Sequence, residues 1–290
     1  MKISILSTAY IGQGEDFAAG AEKMRRHGYE ATDYQGFVRT QEPLWMLSEA
    51  AFERTLLEQR HILTECGIEV CQTHGPWRYP MRDATAEDRA ERFSKMAKAI
   101  RGTAILGCDR MAIHNLMPFG VTDVDPDAVR EINADFFLRL SEVGREYGVT
   151  VCLENMPYRG QTLARVPDML SFVRSLGTEW IRMCLDTGHC AVQGESPADA
   201  VRLIGKENLC ILHVHDNDGK QDLHLRPGEG VIDWEAFSAS LSEIGFEGAL
   251  SLETSVPKEL SSEEREEAQR ALFQRACRLA GRGERPKTNA

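Results

Sequence analysis

Met183-Cys-Leu-Asp-Thr-Gly-His-Cys190 is the stretch from which the fold can be read. Apolar Met183 and Leu185 alternate with Cys184 and Asp186, the period-two pattern of a half-buried strand. Thr187-Gly188 ends the run and leaves Asp186 and His189 at its carboxyl end. Three similar endings lie in the same half of the chain. Val151-Cys-Leu-Glu-Asn155 closes on Glu154, Leu212-His-Val-His-Asp216 on His213, and Leu250-Ser-Leu-Glu-Thr254 on Glu253. Each hydrophobic run ends on a residue able to bind a metal.

Working outward, strand-like runs are expected at Lys2–Ser7, Tyr29–Tyr34, Ile68–Thr73, Arg110–His114, Thr150–Glu154, Arg182–Asp186, Leu209–His215 and Ala249–Glu253. Helical stretches alternate with them, beginning near Glu15, Ser48, Ala86, Asp127, Val166, Ser196, Asp233 and Ser262. Ser196-Pro197 is a helix start with serine as N-cap and proline in the first turn. Strict alternation predicts an α/β protein, a single (β/α)8 TIM barrel over residues 1–280, with a flavodoxin-like open sheet as the alternative. Residues 281–290 read as a frayed tail. The four strand-end residues lie 32, 27 and 40 positions apart, close to the 30 or so of a βαβ unit, so they belong to successive strands. On the strands ending in Glu154, Asp186 and Glu253 the positions sharing parity with the ligands are small or polar (Cys152, Cys184, Ser251). The alternate positions (Val151, Leu153, Met183, Leu185, Leu250, Leu252) suit packing under helices.

The 290 residues are 42% hydrophobic and carry a formal net charge of −11. That balance fits a globular protein with a sizeable core and argues against nucleic acid as the main partner, which favours a basic surface. None of the eight cysteines forms a Cys-x-x-Cys pair, and several sit in strand-like runs as small hydrophobes. A reducing, cytoplasmic setting without disulfides is the expectation. Met1-Lys-Ile-Ser-Ile-Leu-Ser7 reads as a first strand rather than a signal segment, and no apolar run approaches the roughly 20 residues of a membrane helix.

In a barrel the carboxyl ends of the strands share one rim, so Glu154, Asp186, His213 and Glu253 are expected to converge there. Three clustered carboxylates raise one another's pKa unless a cation neutralises them. Three oxygens and one nitrogen suit a single divalent ion: Mn²⁺ first, with Mg²⁺, Co²⁺ or Zn²⁺ as alternatives.

Leu153-Glu154-Asn155, Cys184-Leu-Asp-Thr-Gly-His189, His213-Val-His-Asp216 and Pro227-Gly-Glu-Gly230 resemble the xylose-isomerase-like barrel superfamily over nearly the whole chain. That superfamily includes sugar and sugar-phosphate isomerases and epimerases, and apurinic endonucleases of the endonuclease IV type. The resemblance implies a metal quartet of Glu154, Asp186, His213 and Glu253, with His189 binding substrate oxygens. It also implies proton transfer next to a carbonyl through a metal-stabilised enediolate, with Glu154 and Glu253 as base and acid. His74, His114 and Trp77 are further candidate contacts to a small sugar or polyol substrate. A keto-sugar dehydratase or lyase could use the same intermediate. Gly160 and Gly219 stand where ketose 3-epimerases are expected to carry a glutamate and an arginine, which departs from a simple free-ketohexose epimerase. A nuclease reading is the alternative. In it His74, His114, His189, Asp222 and His224 match positions that hold additional zinc ions in the endonucleases. A non-catalytic barrel subunit is the least favoured class, and a homo-oligomer is an expectation from related barrels.

Overall fold

The computed structural model of the chain describes residues 1–12, 16–77, 83–117, 125–257 and 259–282. Eight strands form one parallel sheet: β1 (Ile3–Leu6), β2 (Ala31–Tyr34), β3 (Glu69–His74), β4 (Arg110–Ile113), β5 (Thr150–Glu154), β6 (Ile181–Asp186), β7 (Leu209–His213) and β8 (Leu250–Leu252). The strands neighbour one another in chain order, and β8 pairs with β1. The ring closes between β7 and β8 through one parallel bridge, Val214 to Leu252. This is the single, nearly closed TIM barrel expected from the alternation; the open-sheet alternative is not what forms.

The helices around it are α1 (Phe17–His27), α2 (Glu49–Glu65), α3 (Ala86–Ile105), α4 (Pro126–Tyr147), α5 (Val166–Ser175), α6 (Thr187–Gln193), α7 (Pro197–Asn208), α8 (Trp234–Glu243) and α9 (Ser262–Leu279). The start of α1 expected at Glu15 lies outside the described residues, as does the tail beyond Arg282. Short α6 was not foreseen. It forms because the Asp186 side chain accepts from the His189 N–H at 2.6 Å and caps the helix as the strand ends. Ser196 caps α7 ahead of Pro197, as expected. No helix among the described residues is long and apolar enough to cross a membrane.

Strand parity separates two apolar layers. Ile3, Ile5, Met111, Ile113, Val151, Leu153, Met183, Leu185, Leu250 and Leu252 face outward and pack with Phe37, Phe52, Phe137 and Phe237 of the surrounding layer. Ala112, Cys152, Cys184 and Ile211 form a second, smaller cluster. Near it the polar Ser4 and Ser251 hydroxyls bond one another, and the Gln72 amide donates to Leu212 O. Small and polar residues fit the narrow interior of an eight-stranded barrel, while the larger residues cover it from outside.

All eight cysteines are free. Burial pushes the Cys71 thiol up to about 12 and raises Cys152 and Cys184 as well. Cys210, only partly buried, is drawn the other way, first by the neighbouring Cys152 thiol and then by Arg110 and Arg182. In the native protein a thiol-alkylating reagent should therefore modify Cys210 well before Cys152 or Cys184, read by mass mapping of a time course. Equal rates at the three positions would contradict this description of the interior.

Candidate metal centre

One positional rule builds the centre. On β3, β4, β5, β6, β7 and β8 an inward residue (Gln72, Ala112, Cys152, Cys184, Ile211, Ser251) is followed two places later by His74, His114, Glu154, Asp186, His213 and Glu253. Alternation turns each of the second set toward the barrel axis at the rim. One ligand atom from each of Glu154, Asp186, His213 and Glu253 lies within 4.8 Å of the others. His213 Nδ1 sits 2.9 Å from Glu154 Oε1 and 3.0 Å from Glu253 Oε2. The other oxygen of Glu154 faces His114 Nε2 at 3.1 Å and His74 Nε2 at 3.5 Å.

The electrostatics follow from burial. Burial alone would raise the Glu154 carboxyl, but the charge of His213, and then the close imidazoles of His114, His213 and His74, hold it well below the usual range. Against the same penalty, Cys184, Glu154 and Glu253 hold His213 well above the ordinary histidine value. Burial depresses His114 and outweighs the pull of Glu154. Glu154 Oε2, Glu253 Oε2, His213 Nε2 and His114 Nδ1 are buried yet make no aligned hydrogen bond, although several have an opposite group within contact distance. Donor atoms gathered this closely without aligned protons fit a cation, and the oxygen-rich quartet fits a divalent one.

A second group adjoins the first. His189 Nε2 lies 3.1 Å from Asp222 Oδ2, and His224 Nε2 lies 3.3 Å from the same oxygen. Burial opposes both rings' protonation, yet Asp186 and Asp222 raise His189 to about 10, and Asp222 and Glu253 raise His224 to about 9. The Asp222 carboxyl is held below its usual range by hydrogen bonds from both rings, against burial. His224 carries a positive φ of 47°, uncommon for a residue with a side chain, and its Nδ1 faces Glu253 O at 2.8 Å.

Supporting residues explain the sequence motifs. Asn155 bridges the ends of β5 and β6: its Nδ2 donates to Asp186 O at 3.0 Å, and its Oδ1 accepts from Asp186 N at 2.8 Å. Its backbone carbonyl lies 2.7 Å from His189 Nδ1, which turns Nε2 toward Asp222. Asp216 is fully buried and accepts from the backbone N–H of Asn217, Gly228, Gly230 and Ile232 and from Trp234 Nε1, all within 3.2 Å. That carboxylate anchors the Pro227-Gly-Glu-Gly230 turn and so the loop carrying Asp222 and His224. Sequence reading missed Asp33, whose Oδ2 stands 3.2 Å from His213 Nε2 and accepts from Gln72 Nε2 at 2.8 Å. Its signal was a carboxylate one residue before the end of β2, close to the strand-end position that revealed the quartet.

All the expected site residues gather at this rim. Trp77 lies beside His114, its ring 6.4 Å from that of the histidine. Gly160 and Gly219 both have left-handed backbones (φ 78° and 73°), where a glutamate or arginine would be strained. Arg159 instead ties the two loops, donating from Nη2 to Gly219 O and from Nε to Val192 O.

A family model described as xylose isomerase-like TIM barrel matches residues 21–277. An uncharacterized protein of Methanocaldococcus jannaschii is 31% identical over 185 residues, covering 60% of this chain and 62% of that protein. The D-psicose 3-epimerase of Enterocloster bolteae is 28% identical over 208 residues, covering 68% of this chain and 65% of that protein. The chain thus spans less than two thirds of either relative. A crystal structure of D-psicose 3-epimerase in the presence of D-fructose superposes with a TM-score of 0.78 at 17% identity, over 97% of this chain and all of that one.

Two predictions follow from the geometry. Asp216→Asn puts an NH2 group among five donors and should cost at least about 3 kcal/mol of stability, since each buried donor left unmatched costs about 1–3 kcal/mol; chemical denaturation reads this directly. The raised pKa values of His189 and His224 stabilise the metal-free fold. That stabilisation is complete below the ordinary value of 6.5 and is lost as pH rises through about 9 and about 10. Melts in chelator should show a fall in midpoint across that range, and the fall should shrink in His224→Gln. An unchanged profile in the variant would refute the assignment.

Proposed function

The chain belongs to the xylose isomerase-like TIM barrel family, and from that premise we propose that it is a divalent-metal-dependent isomerase or epimerase of a small sugar, sugar phosphate or polyol derivative. The observation that carries this reading is the quartet of strand-end ligands with atoms within 4.8 Å of one another. Glu154, Asp186, His213 and Glu253 would hold the ion, Mn²⁺ being the first choice for so oxygen-rich a set. When bound, the ion supplies positive charge that stabilises the oxygens of an enediolate.

The remaining steps belong to the protein's own side chains. Glu154 and Glu253 both approach His213 Nδ1, from the ends of β5 and β8, so a substrate carbon held over the quartet would lie within reach of both carboxylates. One removes the proton beside the carbonyl and the other returns it. Return to the same carbon from the opposite face gives epimerisation; delivery to the former carbonyl carbon, with the hydroxyl proton passing to the other oxygen, gives isomerisation. His189, whose Nε2 Asn155 turns toward Asp222, is a donor that a substrate oxygen would share with that carboxylate, and His114, His74 and Trp77 line the approach. The psicose epimerase relative supports the sugar substrate class. The left-handed Gly160 and Gly219 argue for a substrate other than a plain ketohexose.

A second reading has its own observation. Glu154 turns one oxygen to His213 and the other to His74 and His114, while Asp222 gathers His189 and His224, so the rim offers donors for two further ions. Several zinc ions there would suit phosphodiester cleavage.

Elemental analysis of gently purified protein separates the two. A single Mn²⁺, Mg²⁺ or Co²⁺ per chain, with solvent deuterium entering sugars, is the expected result; two or three Zn²⁺ with cleavage of abasic-site DNA would replace it. Glu154→Gln and Glu253→Gln should each lower turnover by at least about 100-fold while sparing the fold, as loss of a positioned acid or base does. Full activity in both would refute their roles.

A further inference from the structure

Neither the quartet nor the Asp222–His224 group, as assigned above, makes use of His215. Its ring is fully buried between them. Nε2 hydrogen-bonds Asp186 Oδ2 at 3.0 Å and lies 3.6 Å from Asp222 Oδ1. The ring face stacks on His224 with centroids 4.2 Å apart and planes 12° from parallel. The backbone N–H donates to Thr187 Oγ1, whose hydroxyl donates in turn to His215 O. The first turn of α6 lies so close to the ring that a Cβ on Gly188 would stand 2.0 Å from its Cε1, which accounts for the glycine in Asp-Thr-Gly-His.

His215 could itself be a ligand, since its nitrogen lies near those of His189 and His224 and near Asp186 and Glu253. Two features argue otherwise. An imidazole nitrogen binds a metal through a lone pair in the ring plane. Two nearly parallel, stacked rings therefore direct their lone pairs side by side and do not meet at one ion. The Nε2 atom is also already engaged by a quartet carboxylate, the arrangement by which outer residues fix metal-binding carboxylates.

We propose that His215 is a positioning residue that couples the two groups. It orients the Asp186 carboxylate through an Nε2–H donor and sets the His224 ring by stacking, while Gly188 leaves the space it needs. This rests on the proposal that the quartet binds a divalent ion.

The test measures affinity and stoichiometry for Mn²⁺ and Cd²⁺ by competition with a chelating dye. His215→Phe keeps a ring against Gly188 and His224 but removes the donor. It should weaken binding at the quartet about 10–100-fold without changing the number of ions bound. His215→Gln, which can place an amide donor near the Nε2 position, should restore part of that loss. In the cadmium-loaded wild type with nitrogen-labelled histidines, His213 should show coupling to the metal and His215 none. This measurement also decides the matter if the phenylalanine variant does not fold. Wild-type affinity in His215→Phe overturns the proposal. So does loss of one bound ion together with cadmium coupling at His215, which would make it a ligand. A wild type that binds no metal at all removes the metal-centre reading itself, and this inference with it.

Discussion

The carboxylate of Glu154 is the group on which the centre depends. It is 1% exposed, and an unpaired ion in such a place would cost several kcal/mol. Four imidazoles offset that cost: His213 and His189 face one oxygen, His114 and His74 the other. They come from β7, α6, β4 and β3, so one anion draws together elements far apart in the chain. Its two-sidedness also divides the surrounding donors into neighbouring sets. Six of the chain's eight histidines (His74, His114, His189, His213, His215 and His224) gather around these acids.

Strand geometry alone would not hold the outer loop. The backbone of His224 in the left-handed region costs on the order of 1–3 kcal/mol and persists only where its surroundings over-determine it. Thr254 donates to its carbonyl at 2.6 Å, and Asp216 fixes the turn beyond. Asn155 plays the equivalent part between β5 and β6. These residues meet the clustered rim groups from behind, where they set direction rather than charge.

Much of this could be read from the residues. Alternation at Met183–Asp186, and its recurrence at Glu154, His213 and Glu253, carried both the barrel and the convergence of the quartet, because parity and strand length are local properties. The resemblance placed His74, His114, Asp222 and His224 at the same rim. Other features rest on contacts that close only in three dimensions. Helix α6 depends on the Asp186 side chain folding back onto His189 N. The Asp33 carboxylate acquires its significance from His213, 180 residues later in the chain and 3.2 Å away. The five donors on Asp216 span Asn217 to Trp234, and no periodicity marks such a hub.

The joint between β7 and β8 is held by one bridge, with backbone bonds from Val214 N to Ser251 O and from Glu253 N to Val214 O. Val214 stands between His213 and His215, and Glu253 is itself one of the two donors. The thinnest weld in the barrel wall therefore runs directly beside the site. His213 on one side and Glu253 on the other face each other across it at 3.0 Å. An ion held by both would act as a rivet through that weld, so loading the centre and locking the cylinder shut would be a single mechanical event.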